Sequence, residues 1–304
     1  MPCYTPLSAW RTTENTANGK KAIVFKKSAN STTPLTLPCG QCIGCRTDRA
    51  QSWAIRCTQE GQLHQQNSFI TLTYNSENLP TDGSLIGFHF TDFMKRLRSH
   101  YYPQTIRYFM CAEYGENFDR PHFHACLFGL DFLDKEPIKE SEGLILYNSP
   151  QLDSIWGKGY TSIGALTFET AAYTARYITK KITGKGAPDH YTTTCEHTGA
   201  LIHLTPEFAR MSLRPAVGKQ WLQHYLTDLY PSDFAIHKGK QIKIPRYYDK
   251  IMELNGYDIE TIKRKRKLKA RKHLKDNTPE RLAVREKCHT LKSTQLTRNY
   301  ENEA

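Results

Sequence analysis

Apolar residues recur along this chain with two periods, and each period predicts its own kind of element. Period two runs through Ile106-Arg107-Tyr108-Phe109-Met110-Cys111-Ala112-Glu113. There Ile106, Tyr108, Met110 and Ala112 share one strand face, and Arg107, Phe109, Cys111 and Glu113 the other. Further strands are expected at 68–74, 122–130 and 160–166. Helical spacing links Phe90, Phe93, Met94, Leu97 and Tyr101, with Thr91 as the expected cap. A second helix is expected over 46–65, carrying Trp53, Ala54 and Cys57. A third has Phe168, Ala171, Ala175, Ile178 and Ile182 as its apolar stripe. Turn residues fill an insertion ending near Lys158 and the polar stretch 185–202, and Thr205-Pro206-Glu207 reads as another helix start. Strands interleaved with helices and joined by hairpins predict an α+β fold, an antiparallel sheet backed by helices.

The strand at 122–130 opens with His122-Phe123-His124, so alternation sends both imidazoles to the same face. The loop 114–121 is rich in Gly, Asn, Asp and Pro, and a hairpin through it would bring Glu113 beside them. A carboxylate and two imidazoles suit Mg²⁺ or Mn²⁺, with positions left open for water or a phosphate oxygen. Glu116 and Asp119 are rival ligands from the loop. The bland alternative is a pair of half-exposed strand histidines and an ordinary strand-end charge.

On the third helix, Tyr173, Tyr177 and Lys180 project roughly opposite the apolar stripe. An i, i+4 aromatic pair is usually a packing or local helix contact, yet this helix already has a separate apolar face. A phenol is a fair leaving group, so a phosphotyrosine link can form and be reversed. The phenol needs help from a base, a cation or a metal-polarised phosphate, because its ordinary pKa is about 10. Lys180 is placed to steady the charge that develops on phosphate.

The chain has 304 residues, 38% of them apolar, which is enough for a full core. Its net charge of +12 suits a polyanionic partner. Residues 261–275 hold nine Lys or Arg and no acid, which leaves only +3 for the rest. Lys263, Arg264, Lys265, Arg266 and Lys267 head that run, as a phosphate-binding helix or as a solvated tail.

The nine cysteines are an odd count, and the chain shows neither a signal-peptide core nor the ~20 apolar residues of a membrane span. Both features predict a cytosolic protein with reduced thiols. Cys39, Cys42 and Cys45 form Cys-x2-Cys-x2-Cys around Gly40 and Gly44. A closed tetrahedral Zn²⁺ site needs a fourth ligand; Cys3 is the first candidate and Cys57 the second. Iron–sulfur ligation and plain packing remain alternatives. Cys111, Cys126, Cys195 and Cys288 read as packed or incidental thiols. Trp221, Tyr225 and Tyr230 either pack the later segment onto the sheet or stack on single-stranded bases, with packing preferred for Trp221. The chain lacks a Gly-x4-Gly-Lys-Ser/Thr phosphate loop, so helicase work falls to another protein.

Paired histidines followed by a helix with Tyr-x-x-x-Tyr and Lys resemble the motifs of HUH single-strand endonucleases. The chain more closely resembles the rolling-circle replication initiators of gokushovirus-type microviruses. Phe69-Ile70-Thr71-Leu72-Thr73-Tyr74 is similar to the first family motif, Arg120-Pro121-His122-Phe123-His124 to the second, and 173–181 to the third. Met1-Pro2-Cys3-Tyr4, the cysteine run 38–45 and Pro245-Arg246-Tyr247-Tyr248-Asp249-Lys250 also look like this group.

The resemblance implies a five-stranded RRM-like palm with the metal site on its exposed face. It implies nicking of the phage origin through a 5′-phosphotyrosine, rolling-circle replication, and rejoining of the ends. Tyr177 and Tyr173 would be the nucleophiles, Tyr177 first, with Arg176 and Lys181 on DNA. A host helicase and polymerase would be the partners, in the cytoplasm of a bacterial host. The expected parts are an N-terminal arm, cysteine turn and helix (1–66), the nuclease core (67–184), a helical segment packed on it (185–255) and a basic helical tail (256–304). Two rivals stay open: a non-catalytic zinc-containing DNA-binding or regulatory protein, and an HUH transposase or relaxase.

Overall fold

The computed structural model describes residues 3–17, 19–115, 119–141, 143–177, 181–182, 184, 186–194 and 199–294. They fall into two compact units, one drawn from Met1–Arg49 with Ile259–Thr297 and the other from Ala50–Asp258.

In the first unit, the stretch expected as an extended arm folds into strands β1 (Leu7–Asn15), β2 (Lys21–Val24) and β3 (Ser31–Leu37). They form an antiparallel sheet in the order β2-β1-β3. Repeated Thr, Ile and Val side chains suit the pleat. The turn before helix α1 (Ile43–Gly61) carries Gly40 at φ +78°, a conformation that favours glycine. Helix α1 begins in this unit and ends in the second.

The second unit starts with β4 (Asn67–Tyr74), α2 (Gly87–His100), β5 (Arg107–Tyr114) and β6 (Pro121–Phe128). The hairpin β7 (Glu136–Ser141) and β8 (Leu144–Asn148) follows, then α3 (Pro150–Trp156), β9 (Gly159–Gly164) and α4 (Phe168–Tyr177). After α5 (Ala187–His190), β10 (Thr192–Thr194) and β11 (Leu201–His203) comes β12 (Phe208–Met211). Helices α6 (Lys219–His224) and α7 (Leu226–Leu229), strands β13 (Ala235–His237) and β14 (Lys240–Ile242), and α8 (Arg246–Leu254) complete it.

A large antiparallel sheet organises this unit, in the order β12-β5-β6-β4-β9-β8-β7. Alternation gives it two cores. Ile70, Leu72, Met110, Ala112, Phe123 and Leu127 pack with Phe90, Phe93 and Leu97 of α2 and Trp156 of α3. Phe69, Phe109, Cys111, Cys126 and Phe128 pack on the opposite face with Ala50, Ala54 and Cys57 of α1 and Ala171 and Ala175 of α4. Every residue of β6 is buried, as the strand between two covered faces must be.

The sheet has seven strands among the described residues, where five were expected. The turn-rich insertion supplies β7 and β8 at one edge, and β12 pairs with β5 at the other. Thr205-Pro206-Glu207 therefore leads into a strand and not a helix. The exposed edge of β5 had backbone groups to satisfy, and Phe208 through Met211 supply the partners, outweighing the local helix signal. The segment 185–255, expected as helical, accordingly mixes strands with its helices. Thr91 is not the cap of α2: the cap position is Ile86, without a side-chain bond, and Thr91 lies inside the helix, donating to the Gly87 carbonyl at 3.1 Å. Trp221 is buried and donates to Gln62 Oε1 at 2.6 Å, a packing role. Tyr230 is buried too, donating to Asp249 at 2.8 Å, whereas Tyr225 is exposed.

The first unit ends with α9 (Glu260–Arg271) and α10 (Pro279–Thr294). Ile262 is the buried residue of α9, and the Lys and Arg side chains occupy its exposed and half-exposed positions.

Candidate active site

Register places the polar residues of one sheet face in rows that cross it. One row runs Glu113, His122, Thr73, Tyr160, through the pairs Glu113↔His122, Thr73↔His122 and Thr73↔Tyr160. The next runs Cys111, His124, Thr71, Ser162. The third, Phe109, Cys126, Phe69, Gly164, belongs to the core beneath α4 and α1.

The hairpin β5–β6 does what the pattern required: Glu113, His122 and His124 converge. Glu113 Oε1 lies 3.0 Å from His122 Nε2 and 2.8 Å from His124 Nε2, and the two imidazole nitrogens are 3.1 Å apart. All three residues are buried. Burial pushes the Glu113 carboxyl up, but the hydrogen bonds and charges of the two imidazoles outweigh it and hold its pKa below the ordinary range.

The outer nitrogens explain the aim of the rings. His122 Nδ1 lies 3.0 Å from the Arg120 carbonyl, which can only accept, so this nitrogen carries a proton. In the neutral ring Nε2 is then a bare lone pair facing a carboxylate. His124 Nδ1 is held at 2.9 Å by Thr71 Oγ1. Three electron-pair donors this close are reconciled by protons or by a cation among them. Ligands about 2.1 Å from an octahedral ion stand about 3.0 Å from their neighbours, which is the spacing found here. The donor set therefore fits one divalent ion with one face of its shell left open. Asp119 stands outside the group, and Glu116 lies outside the described residues.

Thr71 and Arg120 gained no such role from the sequence. Alternation in 69–73 already put Thr71 on the histidine face; the missing information was which strand lies beside β6. Arg120 also donates to the Tyr74 carbonyl at 2.8 Å, tying the β5–β6 loop to the end of β4.

Helix α4 lies over this face. Tyr173 packs edge-on to His124, ring centroids 5.0 Å apart, and also to Phe69 at 6.2 Å. It is only 3% exposed, so the expectation of a tyrosine clear of the packed face is corrected. The helix is covered on both sides: Ala171 and Ala175 are buried too, and Tyr173 faces the sheet. Helix α4 follows β9, which ends at Gly164 opposite Phe69. Position 177 is one turn, about 6 Å, further along α4 than Tyr173. The side chain of Tyr177 and all of Lys180 lie outside the described residues. Arg176 and Lys181 are exposed.

In the first unit, Cys3, Cys39, Cys42 and Cys45 gather with their sulfurs within 4.8 Å of one another. Cys3 is thus the fourth member, while Cys57 is buried in the core of the second unit. The amides of Cys39, Tyr4 and Cys42 donate to Cys3, Cys42 and Cys39 sulfurs at 3.3, 3.3 and 3.2 Å. Burial pushes the Cys39 thiol up, but donation from the Thr5 hydroxyl and the nearby amides brings its pKa down to about 6. Burial pushes the Cys3 and Cys45 thiols up, the reverse of the net shift at Cys39. Four converging sulfurs, three of them with these amide donors, can hold one metal ion. Of the remaining thiols, Cys111 and Cys126 are buried in the core, Cys288 is exposed, and Cys195 lies outside the described residues.

The sequence places the chain among known proteins. A family model described as replication-associated protein ORF2/G2P matches residues 67–182, the stretch from β4 through α4. Replication-associated protein ORF2 of Spiroplasma virus 4 is 33% identical over 255 residues, 79% of this chain and 75% of the relative. The chain belongs to the replication-associated proteins of gokushovirus-type microviruses. Another member of this family, replication-associated protein VP4 of Bdellovibrio phage phiMH2K, is 31% identical over 82% of this chain and 76% of its own. Replication-associated protein ORF4 of Chlamydia phage 1 is 27% identical over 74% of this chain and 55% of its own. No solved structure matches the chain. Among the described residues, no helix is long and apolar enough to cross a membrane.

Proposed function

We propose that this protein is the replication initiator of its phage, an HUH endonuclease that nicks single-stranded origin DNA and later rejoins it. The observation that carries the reading is the convergence of Glu113, His122 and His124 beneath a helix whose Tyr173 packs against His124. The ion, Mg²⁺ or Mn²⁺, would polarise the scissile phosphate. The protein's own groups do the rest. Arg120 and Thr71 orient the imidazoles, and the Tyr177 phenolic oxygen attacks phosphorus. The P–O bond to the 3′ oxygen breaks, leaving a 5′-phosphotyrosine and a free 3′-hydroxyl for a host polymerase, with strand opening by a host helicase. Lys180 steadies the charge on phosphate. Tyr173 serves as the second nucleophile once its ring leaves His124, cutting the regenerated origin so that the freed 3′-hydroxyl closes the circle. Arg176, Lys181 and the Lys263–Lys267 run supply phosphate contacts, and a zinc ion on the four cysteines organises the first unit. The work takes place in the cytoplasm of the bacterial host.

The test is a denaturing gel of the protein with origin single strand and Mn²⁺. A covalent adduct is expected that is absent from Tyr177→Phe and from the His122→Ala/His124→Ala double variant. Tyr173→Phe should still cut once but fail to form circles. Cleavage by the double histidine variant would refute the metal assignment, and normal circle formation by Tyr173→Phe would refute the two-tyrosine exchange.

A further inference from the structure

The row that carries Glu113 and His122 continues across Thr73 to Tyr160. Tyr160 is 62% exposed. On β9 the neighbouring Thr161 and Ile163 are buried toward the opposite core, so Tyr160 contributes its ring to neither. The side chain that would stand between it and the triad is Thr73, too small to close the row. Two inter-strand spacings separate the His122 and Tyr160 positions, about 10 Å. That is within reach of a nucleotide adjoining a phosphate held at the triad.

The Arg120 cation meets the same edge. Arg120 donates to the Tyr74 carbonyl at 2.8 Å, and the Lys158 carbonyl accepts from the Asn75 amide at 3.0 Å. Both residues are thereby fixed at the end of β4, beside Thr73 and Tyr160. A backbone carbonyl satisfies only part of the Arg120 guanidinium, which keeps its charge for a phosphate. At Gly159 a Cβ would lie 2.2 Å from the Asn75 amide nitrogen, so glycine lets β9 start tight against β4 and sets Tyr160 in register. The row thus offers, in order, a metal triad, a hydroxyl and an exposed phenol ring, with the Arg120 guanidinium at its rim. An exposed ring in line with a phosphate site suits a nucleobase, whose π-face stacks regardless of sequence.

We propose that Tyr160 is a base-stacking platform that holds the single strand one or two nucleotides from the phosphate at the triad. The inference rests on the nicking function proposed above and adds the residue that seats the strand. It is tested on the full chain in Mn²⁺ by the anisotropy of a fluorescein-labelled oligothymidylate, which lacks the origin sequence. Tyr160→Ala should weaken binding about tenfold, while Tyr160→Phe, which keeps the ring, stays within about twofold of wild type. An unchanged melting temperature is expected for both, since the ring is exposed. Wild-type-like binding by Tyr160→Ala overturns the proposal, as does an equal loss on a duplex of the same length, or a wild type that fails to bind the strand. The nicking function fails separately: tyrosine-dependent binding without any covalent adduct would sink nicking and leave stacking in place. An adduct formed by a Tyr160→Ala variant that binds like wild type would do the reverse.

Discussion

Replacing Thr71 by valine removes one hydroxyl and almost no volume, and it should weaken the metal site from outside the ligand shell. Thr71 Oγ1 lies 2.9 Å from His124 Nδ1, on the strand paired directly with β6. His124 is 1% exposed, so bulk water does not replace that contact. A buried polar group deprived of a partner costs about 1–3 kcal/mol, and at about 1.4 kcal/mol per tenfold this corresponds to roughly five- to 150-fold. Loss of an outer partner of a metal-ligating histidine falls in the same range, about ten- to 100-fold in affinity. Thr71→Val should therefore raise the Mn²⁺ dissociation constant of the chelator-stripped protein about tenfold or more, read by calorimetry or by the Mn²⁺ electron resonance signal. Thr71→Ser restores the oxygen and should return most of the affinity. A valine variant that binds Mn²⁺ like wild type would refute the argument that this hydroxyl holds the imidazole in its ligating pose. If only the melting temperature fell, the hydroxyl would be a stability contact and nothing more.

Protein purified without chelator should carry about one zinc, and Cys39→Ser/Cys42→Ser/Cys45→Ser should lose it and destabilise the first unit; a zinc-free, normally stable wild type would return the cluster to packing. Deleting residues 263–275 should weaken binding to any sequence and flatten its salt dependence, by about 0.7 in log–log slope for each cation that contacts a single strand; an unchanged slope would mark the run as solvated. Burial disfavours the Glu60 carboxylate, yet His64, the Gly218 amide at 2.7 Å and Arg107 at 2.5 Å outweigh it and hold its pKa below the ordinary range. The stability this contributes is present above the unfolded carboxyl's pKa and is lost as pH falls through the lower folded value. Glu60→Gln should thus cost about 3 kcal/mol at neutral pH, with a shallower loss on acidification, in urea unfolding; equal stability at neutral pH would contradict this.

Local geometry was enough to fix part of the site. Residues two apart on a strand share a face whatever the strand packs against, so His122 and His124 were paired before any fold was known. A hairpin through a loop as short as 114–121 has few alternatives, which put Glu113 beside them. The clustering of Cys39, Cys42 and Cys45 is similarly a property of one tight turn.

Everything that depends on which segments meet was decided by the tertiary structure. Helical period separates the Tyr173 face of α4 from its alanine face, but it cannot say that both are covered; that follows from both joining one core cluster with the sheet and α1. Nothing local marks Phe208 through Met211 as the partner of β5, because an open sheet edge recruits a strand by hydrogen bonding rather than by composition. Cys3 reaches its site across 36 residues, and Thr71 reaches His124 because β4 rather than β9 lies beside β6. The sequence by itself determined which residues share a face or a turn, since backbone geometry over a few residues sets that. The tertiary structure decided what each face meets, because burial and strand pairing are properties of distant segments brought together.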